Sequence, residues 1–376
     1  LIAARALQGV GGAMLVPGSL SIISATFAPS DRGSAIGAWA GLAAIATAGG
    51  PFLGGWLVQA ASWRWVFLIN VPIAAATAWM ATRHVPESLD PKASRHLDIL
   101  GATSITLGLA GVVYALIEGA KKGSAWGLIA GAATLGLVCL AAFPVIERRV
   151  REPMVPLEIF RSWRFTGANL TTLFVYAALA GATFFLAIEL QAVMGYSPLQ
   201  AGASFWPVTV LLFAFSARAG RLAQRIGPRW PMTLGPGVAG LGFVLLSRLG
   251  SGASYWTAVL PAVAVFGLGM AFTVAPLSTA VLGAVEDRHK GIGSGVNNAV
   301  SRIAGLIAVA LLPVAAGSAA SGQVGGAAFS AGFTRAMWIC AGVCWTGGAI
   351  AFLTVDRVAR LPRPAPAPRS TRVRSE

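Results

Sequence analysis

The stretch Gly41 to Gly55, GLAAIATAGGPFLGG, lies inside an apolar run from Ala35 to Ala60 that carries no charged residue. On a helix, Ala46, Gly50 and Gly54 fall four residues apart and stack into one stripe without side chains, against which another helix backbone can press closely. Pro51 interrupts that stripe. A proline in mid-span removes a backbone donor and bends the helix, a distortion tolerated in a bilayer where neighbouring helices enclose the freed carbonyl. The stretch reads as a kinked, closely packed membrane span, although spacing of this kind also serves tight packing in any multi-span protein.

Working outward, the composition points the same way. Of 376 residues, 56% are apolar and 11% charged, the reverse of a soluble domain. A formal charge of +15 in a soluble chain would suggest nucleic acid. Here the basic residues concentrate in alternate loops, so the partner they imply is the lipid bilayer, with no nucleic acid and no obligate protein partner. At about twenty apolar residues per crossing, the chain is an all-α integral membrane protein of about eleven spans. They run Leu1 to Phe27, Ala35 to Ala60, Trp65 to Thr82, Leu97 to Glu118, Trp126 to Ile146, Phe165 to Leu190, Leu199 to Leu222, Pro231 to Leu249, Tyr255 to Leu277, Ile292 to Val314 and Phe333 to Val355. With the loop Ala28 to Ser34 taken as cytoplasmic, twenty of the 28 Lys and Arg fall on that side and five, Arg64, Lys121, Lys122, Arg248 and Arg335, on the other. That asymmetry puts the C-terminus in the cytoplasm. The tail 356–376, rich in Pro and Arg, cannot bury a core and reads as a disordered basic segment.

Cys139, Cys340 and Cys344 lie in apolar runs and His84, His96 and His289 in loops, so neither a metal site nor a disulfide framework follows. No cofactor is implied. The chain opens Leu1-Ile2-Ala3-Ala4-Arg5, without Met or signal-peptide features, and reads as the inside of a span whose beginning lies upstream.

Polar groups inside apolar runs are the candidate pathway residues, because an ionisable side chain within a span is costly and faces a polar interior. They are Arg5 and Gln8 in the first run, Glu189 in the sixth, and Asn297, Asn298 and Arg302 in the tenth, where Arg302 falls near mid-bilayer. Glu118 and Glu189 stand close to predicted outer ends, where interfacial solvation is the ordinary explanation. Gly291-Ile292-Gly293-Ser294-Gly295 lacks the preceding strand and the spacing of a dinucleotide loop. Asn169-Leu170-Thr171 matches a glycosylation acceptor, but at the start of a span the match is fortuitous.

The order Gly50-Pro51-Phe52-Leu53-Gly54-Gly55, with Ala46, resembles the antiporter motif in the fifth span of the major facilitator superfamily. Arg5-Ala6-Leu7-Gln8-Gly9 with Gly11, Gly12 and Ala13 resembles the fourth-span motif, in which the arginine is tied to proton coupling. Ser62 to Pro72, SWRWVFLINVP, resembles the signature of the fourteen-span drug:proton antiporter branch, as does the linker with Glu152-Pro153-Met154-Val155-Pro156-Leu157. Gly220-Arg221-Leu222-Ala223-Gln224-Arg225-Ile226-Gly227-Pro228-Arg229 resembles the second-half copy of the superfamily's loop motif, with Gln224 where the pattern expects Asp. It reads as a cytoplasmic loop in which glycine permits a tight turn and basic residues reach facing helix ends.

The resemblance implies two helical bundles rocking about a midplane cavity, with about eleven helices present of fourteen. It divides the chain into 1–83, spans four to six of the first bundle; 84–164, two extra linker spans with their loops; 165–355, the six-helix second bundle; and the tail. The implied activity is export of small hydrophobic or cationic compounds across the plasma membrane in exchange for protons. A metabolite facilitator or importer on the same fold is the alternative. A membrane enzyme is remote, since no nucleophile, metal or acid/base cluster stands at either face.

Overall fold

The computed structural model describes residues 52–85, 98–119, 125–150, 153–250, 252–286, 289–317 and 327–355, together with positions 4, 7–12, 19, 22, 26, 27, 42, 46, 49 and 50. Arg5, Pro51, the loop 86–97 and the tail 356–376 lie outside the described residues.

Among the described residues, eight helices are long and apolar enough to cross a membrane. After a helical stretch over 52–60, α1 (Trp65–Leu68) and α2 (Asn70–His84) form one crossing, broken at Ile69. Asn70 explains the joint: its Nδ2 donates to Val66 O and Phe67 O, both at 3.2 Å, holding the end of α1 while α2 begins. No side chain of α2 is buried.

The pair α3 (Ile99–Gly119) and α4 (Trp126–Arg149) packs antiparallel along a seam of small residues. Gly108 and Gly111 lie against Gly136: a methyl on Gly136 would stand 2.7 Å from Val112 N and 2.9 Å from Gly108 O. Ser104 Oγ donates across the seam to Cys139 O at 2.8 Å. In lipid, where apolar side chains gain nothing by meeting each other instead of acyl tails, such close backbone approach is what joins helices.

A 3-10 turn, Leu157–Arg161, leads into six further helices: α5 (Trp163–Ile188), α7 (Trp206–Ile226), α8 (Arg229–Leu246), α9 (Leu260–Gly283), α10 (Lys290–Ala315) and α11 (Ala327–Thr354), with the short α6 (Pro198–Ala203) between α5 and α7. Neighbours in space run α10, α5, α11, α8, α9, α7, and α3 also touches α10. Glycines again set the closest crossings. A methyl on Gly269 would meet Ala239 Cα at 2.7 Å, and one on Gly242 would meet Phe266 N at 2.6 Å. Around them Val175, Phe185, Phe243, Phe266, Phe333 and Met337 form a buried core. A second cluster of Ile159, Phe165, Met232, Leu277 and Val281 closes the end where α5 begins.

Helix α8, read above as the span Pro231 to Leu249, is 18 residues long and falls outside the eight apolar crossings. Arg229, two prolines and four glycines in that length lower its hydropathy, yet one side, with Met232, Ala239 and Phe243, is buried against α9 and α11 while Leu234 and Leu241 stay exposed. The loop motif also needs correction. Gly220 to Ile226 form the last turns of α7, because Arg-Leu-Ala-Gln-Arg are good helix formers and nothing breaks the pattern before Gly227-Pro228. Gly220 is helical; Gly227 alone makes the turn, at φ +86°.

Candidate functional site

The segment 52–60 touches the second bundle. A methyl on Gly55 would stand 2.6 Å from Pro198 O and 3.0 Å from Leu199 Cα, so the two backbones are in direct contact there. Phe52 packs edge to face on Trp206, ring centres 5.7 Å apart, and Leu57 is buried. The Pro198 carbonyl is fixed by its own sequence. Ser197 and Gln200 form a capping box, Ser197 Oγ accepting from Gln200 N at 3.2 Å and Gln200 Oε1 accepting from Ser197 N at 2.9 Å, with Pro198 at the first helical position. Of the expected stripe, only Ala46, Gly50 and Gly54 are described, and Pro51 is not. Among the described residues, no heavy atom lies within 4 Å of where a Cβ would stand on Gly50 or Gly54, and Ala46 is exposed. Gly55, about 100° further round the helix, is the glycine the close approach requires.

Within the second bundle a polar group of side chains joins three helices. Asn297 Nδ2 on α10 donates to Asn169 Oδ1 at 3.2 Å and to Thr172 Oγ1 at 2.6 Å on α5. Asn169 Nδ2 donates to Phe165 O at 2.9 Å, and Thr171 Oγ1 reaches Gly347 O of α11 at 3.3 Å. Asn169, Thr171 and Thr172 are buried. Their signal in the sequence was the Asn-Leu-Thr-Thr run, set aside as a fortuitous modification motif. Asn298 is half-buried on the next position of α10. Arg302 stands at the middle of α10 and is exposed, on the side away from the buried Ala304.

Glu189 is fully buried, which removes interfacial solvation as its explanation. It opens a π-helical turn, Glu189–Val193, in which Met194 N donates to Glu189 O at 3.0 Å. Ser330 Oγ of α11 donates to Glu189 Oε1 at 3.0 Å, while Oε2 is buried without a hydrogen-bond partner. The stacked Phe185 and Phe329, 5.9 Å apart, belong to the same buried core. π-turns inside helices concentrate at functional sites. Glu118, by contrast, is only partly buried in the last turn of α3. Gln8 is helical and exposed.

In the loop motif Arg221 and Arg225 are exposed, whereas Arg229 lies 4.0 Å over the ring of Phe352, with its Nε buried and unpaired. At the other end of the bundle an open apolar groove of about 440 Å³ is lined by Trp206, Pro207, Val210, Tyr255, Trp256 and Leu260. Among the described residues, no three His, Cys, Asp or Glu side chains are grouped to hold a metal ion.

The family model of the Major Facilitator Superfamily matches residues 1–309. The chain is 34% identical over 320 residues to the methylenomycin A resistance protein of Bacillus subtilis, covering 84% of this chain and 67% of that protein. It is 32% identical over 315 residues to the multidrug resistance protein Stp of Mycobacterium tuberculosis, covering 83% and 58%. To the tetracenomycin C resistance and export protein of Streptomyces glaucescens it is 29% identical over 323 residues, covering 84% and 58%. The chain thus spans between 58% and 67% of the length of these relatives.

Proposed function

The chain belongs to the Major Facilitator Superfamily and is a multi-pass membrane protein, and from that premise we propose that it is the larger part of a drug exporter of the fourteen-span drug:proton antiporter branch. Relatives named for resistance to or export of methylenomycin A and tetracenomycin C support a small-molecule drug cargo. The hairpin α3–α4, standing between the first-bundle segments and the six helices that follow, supports the branch.

The observation that carries the mechanism is the contact of Gly55 with the capped turn at Pro198. It joins the segment bearing the antiporter-type order to the second bundle at one end, so that alternating access is a rocking of the two bodies against this seam. Exchange for protons would run through ionisable and amide groups inside the spans: Arg5, Gln8, Asn297, Asn298, Arg302 and the sealed carboxyl of Glu189. The loop-motif residues Gly220, Arg221, Arg225, Gly227 and Arg229 hold the opposite, cytoplasmic end, and the C-terminus lies on that side of the plasma membrane.

Expression of the full-length protein in a drug-sensitive bacterium tests the proposal. It should raise the tolerated concentration of a lipophilic cationic dye several-fold and lower cellular dye content. Unchanged tolerance across chemically varied hydrophobic drugs, with the protein in the membrane, would reject drug export and favour a metabolite cargo.

A further inference from the structure

Two carboxyl groups that the transport reading does not use face each other at the end of the hairpin nearest the second bundle. Asp98 stands immediately before α3 and caps it, Gly101 N donating to Asp98 Oδ1 at 2.7 Å. Its Oδ2 is buried without a hydrogen-bond partner. Glu147, in the last turns of α4, is only 3% exposed. Its Oε2 accepts from Val155 N at 3.3 Å, and its Oε1 is buried without a partner. The two unpaired oxygens converge on one point: a methyl on Gly101 would overlap Asp98 Oδ2 and lie 3.1 Å from Glu147 Oε1.

Two ionised carboxylates cannot rest side by side in such a place without a cation between them, whereas a single proton converts their repulsion into a hydrogen bond. Among the described residues, no basic side chain hydrogen-bonds the unpaired oxygens. Arg148 and Arg149 on α4 are exposed, as are Glu158 and Arg161 on the 3-10 turn, and Arg164 at the start of α5 is half-exposed. On α10, Arg302 is exposed at mid-helix. No described side chain hydrogen-bonds either oxygen.

We propose that Asp98 and Glu147 form a proton-binding site, in which one proton shared between Asp98 Oδ2 and Glu147 Oε1 joins the start of α3 to the end of α4. Each carboxyl group also keeps a backbone partner. Asp98 holds the first turn of α3, and Glu147 holds Val155, two residues before the 3-10 turn that leads to α5. With the proton bound the two ends are joined. Without that proton the two carboxylates repel and the ends of the hairpin part, while the ionised Glu147 still accepts from Val155 N.

Infrared spectroscopy of the full-length protein in lipid vesicles reads the shared proton directly. At neutral pH the protein should show a protonated-carboxyl carbonyl component that disappears in both Asp98→Asn and Glu147→Gln, because in each variant the amide N–H takes the place of the proton. Asn also keeps the cap on α3. The absence of any component lost in both variants would overturn the proposal. Gly101→Ala retains both acids but drives Asp98 Oδ2 aside, so the same component should titrate away at lower pH; an unchanged titration would contradict the geometry. Deuterium uptake over the first turns of α3, corrected for intrinsic exchange, should rise with pH in the parent and stay flat in Asp98→Asn. Equal pH dependence in both would overturn the joint.

Discussion

Gly55 shows how much one backbone position decides. Any side chain there must displace the Pro198 carbonyl, which a capping box and a proline both hold in place. Gly55→Leu should therefore part the two bodies, costing about 1–3 kcal/mol at that contact. Export by the full-length protein should fall at least tenfold with membrane expression largely retained, as measured by dye efflux; wild-type efflux would remove the contact from the mechanism. The sequence made the Gly-Pro stretch legible but not which glycine touches the second bundle, because spacing along one helix says nothing about where its partner lies. Glu189 was legible as a polar residue in an apolar run, and its burial was not, since sealing depends on Ser330, 141 residues away. Glu189→Gln keeps an acceptor for Ser330 but cannot release a proton. Unfolding free energy should stay within about 1 kcal/mol of the parent, while proton-driven export falls at least tenfold. Normal export would leave Glu189 a structural residue.

At the scale of elements, most helices were legible because apolar runs of bilayer length need no partner to be recognised. The ends were less so. The loop motif continues α7 to Ile226, and α5 ends in a π-turn, features set by local hydrogen bonding and not by hydropathy. The seam between α3 and α4 had a signal in Gly101, Ser104, Gly108 and Gly111, three or four residues apart, which composition alone does not distinguish from the other glycines of the chain. Gly136 and Gly131 on α4 make the contrast measurable. A side chain on Gly136 would collide with the α3 backbone, whereas Gly131 has open space around it. Gly136→Leu should lower the yield of monodisperse protein and its midpoint of thermal unfolding, and Gly131→Leu should leave both near the parent value. Equal effects would mean that the seam does not hold the hairpin.

For the whole molecule, the uneven distribution of basic residues argues for an orientation that helix packing cannot supply, because a bundle is the same object whichever way it is inserted. Cysteine placed at the exposed Glu158 should be shielded from an impermeant thiol reagent in intact cells, and cysteine at the exposed Gly252 should react. The reverse pattern would invert the topology. The central claim is that this polytopic chain belongs to a machine that moves hydrophobic compounds against protons, and the most direct test follows proton and drug together. Inverted membrane vesicles carrying the full-length protein, given an inward-acid pH gradient, should accumulate a lipophilic cationic dye. Addition of the dye should draw protons out of the lumen, and a protonophore should abolish both movements. Dye accumulation that persists after the gradient is collapsed, or proton movement that ignores the dye, would contradict the account.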